Sequence, residues 1–393
     1  MKPLRILFLS DTGGQMGGAT ISLALLIDRL DRSQFEPYAL LGSDGDFADT
    51  LRRKDVDVTV NELKPVVRSY NPLTLLRNVV RLIRGYRAVA KVCREKQIDA
   101  IHANDNTVAF FAVLPARRLN AKAVWHVRSP IRRLGCIGGF LVRRSDAIIS
   151  CSEATLEPFR AEQPQHADRM FVAYDGVDAP RLTERSRQPS VRSEFSVPDD
   201  VPLVGVVSRI SESKGQDIFL RAAVVVAELH PKARFVVAGG PVSGSVEGLE
   251  ADIEFENRLR QLAIKLNISD KVMFAGYRHD IPAVMKDLSV VVVASRREPL
   301  GLVALEAMAL GVPVVASNVD GLRESITNEQ NGLLVPPEAA GAMGMAIARL
   351  LKDRTLARRL AHEGRRTVAT KFTADAHAAA VTDIYIVMMS KQQ

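Results

Sequence analysis

Two glutamates, Glu298 and Glu306, are separated by seven residues in the stretch ASRREPLGLVALEAMALGVPVVAS. The apolar run VVVVAS leads into a charged loop carrying Glu298. Gly301 then opens the apolar segment LVALEAMAL, which stops at Gly311 ahead of Pro313. Read as strand, loop and helix, this order puts Glu298 at the loop mouth and Glu306 about two turns into the helix. The amides of Leu300, Gly301 and Leu302 are then the free donors of a helix start, where the positive end of the dipole favours a phosphate or a sugar hydroxyl. Carboxylates on either side suit a sugar nucleotide, with Glu298 accepting hydrogen bonds from sugar hydroxyls and Glu306 from the ribose. Glu306 also interrupts an apolar helix, and a buried acid needs a partner.

Short apolar runs alternate with amphipathic segments along the whole chain: RILFLS, GATISLALLIDRL, PYALLG, and later DAIHAN, AVWHV, DAIISCS. This alternation predicts parallel sheets covered by helices on both faces. The pattern restarts after the polar stretch 178–202 with PLVGVVSRI, GQDIFLRAAVVVAELH and ARFVVAGG. Two Rossmann-like α/β domains are therefore expected, 1–178 and 179–372, joined near residue 180. Ligands of such sheets bind beyond the carboxyl ends of the strands, so a cleft between two facing domains is the expected active site.

Arg209 and Lys214 follow the first strand of the second domain at that end, where two cations can neutralise a diphosphate as it leaves. Gly17 and Gly18 follow strand one and open the next helix, permitting close backbone approach to phosphate or sugar. GGQMGGA lacks the spacing of a dinucleotide fingerprint, and no P-loop spacing occurs. His126 ends strand AVWHV and is expected to point into the cleft, which His102 and Asn104 of IHAND would also line.

These segments resemble the retaining glycosyltransferases of family 4, enzymes of GT-B fold. The resemblance extends from the paired glutamates to GGAT (17–20), HVRSP (126–130), SRISESKGQD (208–217), KVMFAGYRHDIP (271–282), VDGLRESI (319–326) and NGLLVPP (331–337), in family order. It implies transfer of a sugar from a nucleoside diphosphate donor to an acceptor hydroxyl with retention at the anomeric carbon. It also implies that Arg209 and Lys214 hold the donor phosphates, that His126 lies near the reacting sugar, and that a final helix, 373–393, crosses back onto the first domain. Two positions depart from the family. Pro299-Leu300 replaces the common Gly-Phe and removes one backbone donor, and Asp175 stands where asparagine is common. Two other readings stay open. One is a nucleotide-sugar 2-epimerase of the same fold, against which the paired glutamates argue. The other is a non-catalytic nucleotide-sugar- or nucleic-acid-binding protein, but the basic segment lacks the interleaved aromatics of single-strand binders, at 5% aromatic residues overall.

Charge narrows the partners. The chain is net +8, yet residues 64–144 carry 17 Lys and Arg against three acids, Glu95, Asp99 and Asp105. Such a patch favours an anionic partner. Within it, Arg77, Arg81, Arg84, Arg87, Lys91 and Arg94 recur at helical spacing opposite Leu76, Val79, Val80, Ile83 and Val89/Ala90. With Arg132, Arg133, Arg143 and Arg144 they point to an anionic membrane surface and a glycan or lipid-linked acceptor, hence envelope or exopolysaccharide assembly. No nucleic-acid partner is expected. Asp44/Asp46 and Asp55/Asp57 spell D-x-D but lie away from the phosphate site, so neither a metal nor another cofactor is expected. Three cysteines without pairing or metal spacing, a first apolar run too short for a signal peptide and no membrane-length apolar stretch fit a cytoplasmic protein, peripheral to the membrane at most.

Overall fold

The computed structural model describes residues 2–14, 16–61, 63, 71–131, 133–188, 191–241 and 246–390. The chain divides into two units, Met1–Asp175 with Ala374–Gln393, and Gly176–Thr373.

The first unit is a seven-stranded sheet of β1 (Leu4–Ser10), β2 (Phe35–Leu41), β3 (Asp57–Val60), β4 (Ala100–Ala103), β5 (Lys122–Val127), β6 (Ala147–Ser150) and β7 (Met170–Val172), ordered β3-β2-β1-β4-β5-β6-β7. Every pairing is parallel. Alternate side chains of each strand enter two separate cores. Leu7, Leu9, Ile101, Ala103, Ala123 and Trp125 pack on one face. Ile6, Phe8, Ala100, Val124 and Ile149 pack on the other, against the helix Gly18–Arg29 and the final helix Ala374–Ser390, which supplies Ala378, Val381, Ile384 and Tyr385. Period-two alternation in a doubly covered sheet explains why these strands read as continuous apolar runs.

The second unit repeats the plan with β8 (Leu203–Val207), β9 (Arg234–Ala238), β10 (Val272–Gly276), β11 (Val290–Val293), β12 (Val314–Ser317) and β13 (Leu333–Val335), all parallel, in the order β10-β9-β8-β11-β12-β13. In each sheet the chain reverses its direction of strand addition once, between β1 and β4 and between β8 and β11. Carboxyl ends diverge at such a point and leave a crevice.

The helix Pro72–Lys96 departs from expectation. Val89 and Ala90 are buried, but Leu76, Val79, Val80 and Ile83, expected to pack inward, are 62%, 50%, 40% and 46% exposed. The inward face of the first turns is instead marked by buried Asn78 and Gly85. Gly85 is required there, because a Cβ would lie 2.3 Å from the Phe111 ring.

Candidate active site

In the second unit, the crevice between β8 and β11 collects the charged residues. β8 runs out through Ser208 and Arg209 into a short turn, Glu212–Lys214. Gly215 closes it at φ +67°, where a Cβ would meet the Ala294 carbonyl at 2.1 Å. That close approach seats the loop on the end of β11. Lys214 Nζ donates to Glu298 Oε2 at 2.7 Å, and Ser295 Oγ donates to the same oxygen at 2.9 Å. Glu298's amide donates to Asp320 Oδ2 (3.1 Å), which also accepts from Arg297 Nε (2.6 Å). The Gly321 amide donates to the Glu298 carbonyl at 3.1 Å. Glu298 is thus fixed from both ends, with Oε1 unengaged among the described residues. Lys214 and Glu298, expected to serve phosphate and sugar separately, form one ion pair in the free protein.

Arg209 is exposed, and its guanidinium makes no ion pair or hydrogen bond among the described residues. Its carbonyl accepts from Gln216 Nε2 at 2.8 Å, which fixes the loop while leaving the side chain free.

The helix expected after Glu298 spans Leu302–Ala309, so Glu306 lies little more than one turn in, not two. Gly301 caps it at φ +92°, where a Cβ would come within 2.5 Å of Leu322. The amides of Leu300, Gly301 and Leu302 donate to no group among the described residues. Leu300 itself is 2% exposed, and its carbonyl accepts from Ser325 Oγ at 3.1 Å. Glu306 keeps a partial opening to solvent but is crowded by apolar neighbours. Burial pushes its carboxyl up to about 7, opposed by the Arg185 guanidinium. A carboxyl poised at neutrality, without a hydrogen-bond partner among the described residues, is suited to accept from a ligand hydroxyl.

The first unit holds a second polar cluster, on the face shared by the helices Gly18–Arg29 and Ala374–Ser390. His102 and His126 stand on this face of β4 and β5, and both are fully buried. His126 therefore lies at its strand end as expected but does not open to solvent. The final helix brings His377 and Tyr385 over the two rings, a long-range packing that strand pattern cannot show. Asn104 is likewise sealed, donating to the Ala19 carbonyl at 3.2 Å and accepting from Arg128 Nε at 2.9 Å.

Arg128 fixes the protons in this cluster. It forms a buried ion pair with Asp175 and donates to Ser22 Oγ at 3.0 Å, while Ser22 Oγ donates to Asp175 Oδ1 at 2.6 Å. Arg128 Nη2 also faces His126 Nδ1 at 3.4 Å. A guanidinium only donates, so His126 Nδ1 is an acceptor. His102 Nε2, 3.2 Å from the same nitrogen, must then carry a proton, and His102 Nδ1 accepts from Tyr385 Oη at 2.7 Å. The remaining proton of His126 sits on Nε2, which is buried without a partner among the described residues. Burial, then the charge of Arg128, holds both histidines well below the usual imidazole range. Burial raises Asp175, but Arg128 and His377 outweigh it and keep the carboxyl ionised. Asp175 and Arg128 were not singled out by sequence as a pair. The only signal was Asp175's departure from asparagine, together with Arg128 lying inside HVRSP.

Gly18 begins the first helix, and Gly17 precedes it, both exposed. A Cβ at Gly17 would meet nothing within 4 Å, but its amide is already spent on Thr20 Oγ1 at 2.8 Å. Open space, not a free donor, is what this turn offers a ligand. Asp44 pairs with Arg52 at 2.7 Å, and Asp57 pairs with Lys96, so the D-x-D acids serve the surface. Among the described residues no cluster of three His, Cys, Asp or Glu is arranged to hold a metal. Arg77, Arg84, Arg87 and Arg133 are exposed and Arg81 is half-buried; Arg132 lies outside the described residues.

The family model "Glycosyl transferases group 1" matches residues 188–367, and "Glycosyltransferase Family 4" matches residues 16–181. The chain is 26% identical over 359 residues to the lipopolysaccharide core biosynthesis mannosyltransferase LpsB of Rhizobium meliloti, covering 86% of this chain and 95% of that one. It is 32% identical over 243 residues to the D-inositol 3-phosphate glycosyltransferase of Stackebrandtia nassauensis, covering 59% of this chain and 52% of the relative. That match spans about half of the relative's length. In fold it is similar to Anabaena HepE, solved in complex with UDP and glucose, at a TM-score of 0.78 and 23% identity over 98% of this chain and 99% of that one. Two switch-point sheets, a charged crevice beyond β8 and β11, and matches along nearly the whole sequence converge: the chain belongs to the group 1 glycosyltransferases, enzymes of GT-B fold.

Proposed function

We propose that this glycosyltransferase takes its sugar from a nucleoside diphosphate donor and passes it, with retention, to a hydroxyl of a glycan or lipid-linked acceptor in lipopolysaccharide, exopolysaccharide or glycolipid assembly. The observation that carries this reading is the β8/β11 crevice, where an unpaired Arg209, the Lys214–Glu298 pair and free helix-start amides lie together. Arg209 and the amides take the diphosphate. Its arrival draws Lys214 from Glu298 and frees that carboxylate for sugar hydroxyls. Charge building on the leaving diphosphate is met by fixed donors, without a metal. With no carboxylate assigned as a covalent nucleophile, the acceptor attacks on the face the diphosphate leaves, and a diphosphate oxygen takes its proton. In the first unit, the neutral Nε2–H of His126 is a sealed donor without a partner among the described residues, which costs about 1–3 kcal/mol. We place the enzyme in the cytoplasm, peripheral to the anionic membrane; among the described residues no helix is long and apolar enough to cross a membrane.

Titration with a panel of nucleoside diphosphates tests the donor site. Glu306 accepts from the ribose best when ionised, and its carboxyl ionises near 7 in the free protein. Affinity should therefore rise with pH by up to about tenfold per unit below 7 and level off above it. Glu306→Gln should flatten that part of the profile, leaving only the phosphate's own titration, and Glu306→Ala should weaken binding by about 1–3 kcal/mol. Identical pH profiles for wild type and Glu306→Gln would remove Glu306 from the nucleotide site.

A further inference from the structure

The Lys214 turn is tied to the Glu298 loop by more than the Lys214–Glu298 pair. Arg296, two residues before Glu298, donates through Nη1 to the Glu212 carbonyl at 2.6 Å and to Asp217 Oδ1 at 2.9 Å, and through Nη2 to Asp217 Oδ2 at 2.8 Å. Its backbone amide donates to the Ser213 carbonyl at 2.9 Å. Glu212 and Asp217 flank Lys214 in the chain, so one guanidinium grips the turn on both sides of the ammonium. Arg296 Nε is taken by Glu338 Oε1 at 2.8 Å. Burial alone would raise the Asp217 carboxyl, but the hydrogen bonds and charge of Arg296 outweigh it and hold the group below its ordinary value. Arg297, next in the chain, ties the same loop to Asp320 Oδ2 at 2.6 Å. The acids at the ends of these ties, Glu338 and Asp320, have φ of +60° and +36°, a region that residues other than glycine rarely occupy. Strain of this kind persists only where the surroundings over-determine it, and it gathers at functional sites.

Donor arrival, as proposed above, draws Lys214 off Glu298 and so removes a bond between the two loops. The fork of Arg296 on Glu212 and Asp217 involves neither of those charges and survives that step. A bidentate guanidinium–carboxylate pair fixes direction as well as distance, and a lysine, a single point charge, cannot span the same acceptors. We infer that Arg296 is a positioning residue for sugar transfer: it clasps the Glu212–Lys214 turn to the Glu298 loop, so that the two keep their register when the Lys214–Glu298 pair opens to the donor diphosphate. Glu298 then meets the sugar, and Lys214 the leaving phosphate, from fixed places, the condition under which such groups contribute to rate. This role rests on the donor site proposed above, whereas the clasp itself belongs to the free protein and can be tested without a donor.

Hydrogen–deuterium exchange of the full chain, read on peptides covering 208–215 and 294–301 with and without inorganic pyrophosphate, tests the clasp. Release of nucleoside diphosphate from a pool of uridine, guanosine, adenosine and thymidine diphosphate sugars tests its consequence. In Arg296→Gln both peptides should exchange roughly tenfold faster than in wild type, whereas in Glu298→Gln they should stay within about twofold. Pyrophosphate affinity of Arg296→Gln should change by no more than about threefold, because Arg209 and the helix-start amides are untouched. Its release rate should fall about ten- to a hundredfold, a loss of turnover and not of binding. Arg296→Lys keeps a charge beside Asp217 and should lie between wild type and Arg296→Gln in both exchange and rate; it carries the same test if the Gln variant unfolds. Asp217→Asn should copy Arg296→Gln, and combining the two should add little. Loops loosened equally by Glu298→Gln and Arg296→Gln would make the ion pair the clasp. An unchanged rate in both Arg296 variants, or pyrophosphate affinity lost in step with rate, would also overturn the assignment. Wild type that binds no pyrophosphate would instead overturn the donor reading, and with it the part of Arg296 in transfer, whatever the exchange of the free protein shows.

Discussion

Glu298→Gln should lower turnover roughly a hundredfold or more while leaving nucleoside diphosphate affinity intact or slightly improved. The first half follows from the proposed task of the carboxylate, which accepts from sugar hydroxyls as charge develops at the reacting carbon. The second follows from the ion pair: in the free protein Lys214 is bound to Glu298 at 2.7 Å, and a neutral amide releases that ammonium to the phosphates. Single-turnover rates beside titration of the product nucleotide separate the two effects. A parallel loss of rate and of nucleotide affinity would mean that Glu298 chiefly holds the Lys214 loop and does not act on the sugar.

Asp175→Ala should destabilise the first unit by about 3–5 kcal/mol, because it strands a buried guanidinium without its counter-charge. Arg128 and Asp175 are 3% and 6% exposed at their side chains, so water cannot replace the lost partner. Asp175→Asn keeps an oxygen for Ser22 and Arg128 but removes the charge, and should fall between wild type and alanine. The sole tryptophan, Trp125, is 1% exposed in the core of this unit, so its fluorescence in urea reports the first unit directly. An unshifted Trp125 transition in Asp175→Ala would show that the pair contributes nothing to stability.

Legibility in the sequence followed the range of the interactions. The strands of both sheets announce themselves, since residues buried on both faces leave unbroken apolar runs such as VVVV of β11. The charged crevice was equally readable, because Arg209, Lys214 and Glu298 each lie just beyond a strand's carboxyl end. The Lys214–Glu298 bond was not, as it joins positions 84 residues apart whose side chains meet only when β8 and β11 pair. For the same reason His126 read as an open strand end. Its seal comes from Tyr385, which reaches it through His102 from 283 residues further along the chain than His102 itself. Helical periodicity located the apolar stripe of Pro72–Lys96 but not its direction. The inward side was set by small residues, Gly85 and Ala88, which hydrophobicity counts overlook.

The central claim, transfer from a nucleoside diphosphate sugar with retention, is tested most directly by following the anomeric protons of candidate donors by NMR with enzyme, with and without a hydroxyl acceptor. One donor should be consumed, faster with acceptor present, and the first product should carry the donor's anomeric configuration before any mutarotation. Undiminished activity in the presence of a chelator is part of the same expectation. An inverted first product, a donor converted to its C2 epimer without acceptor, or no turnover of any nucleoside diphosphate sugar would contradict the account.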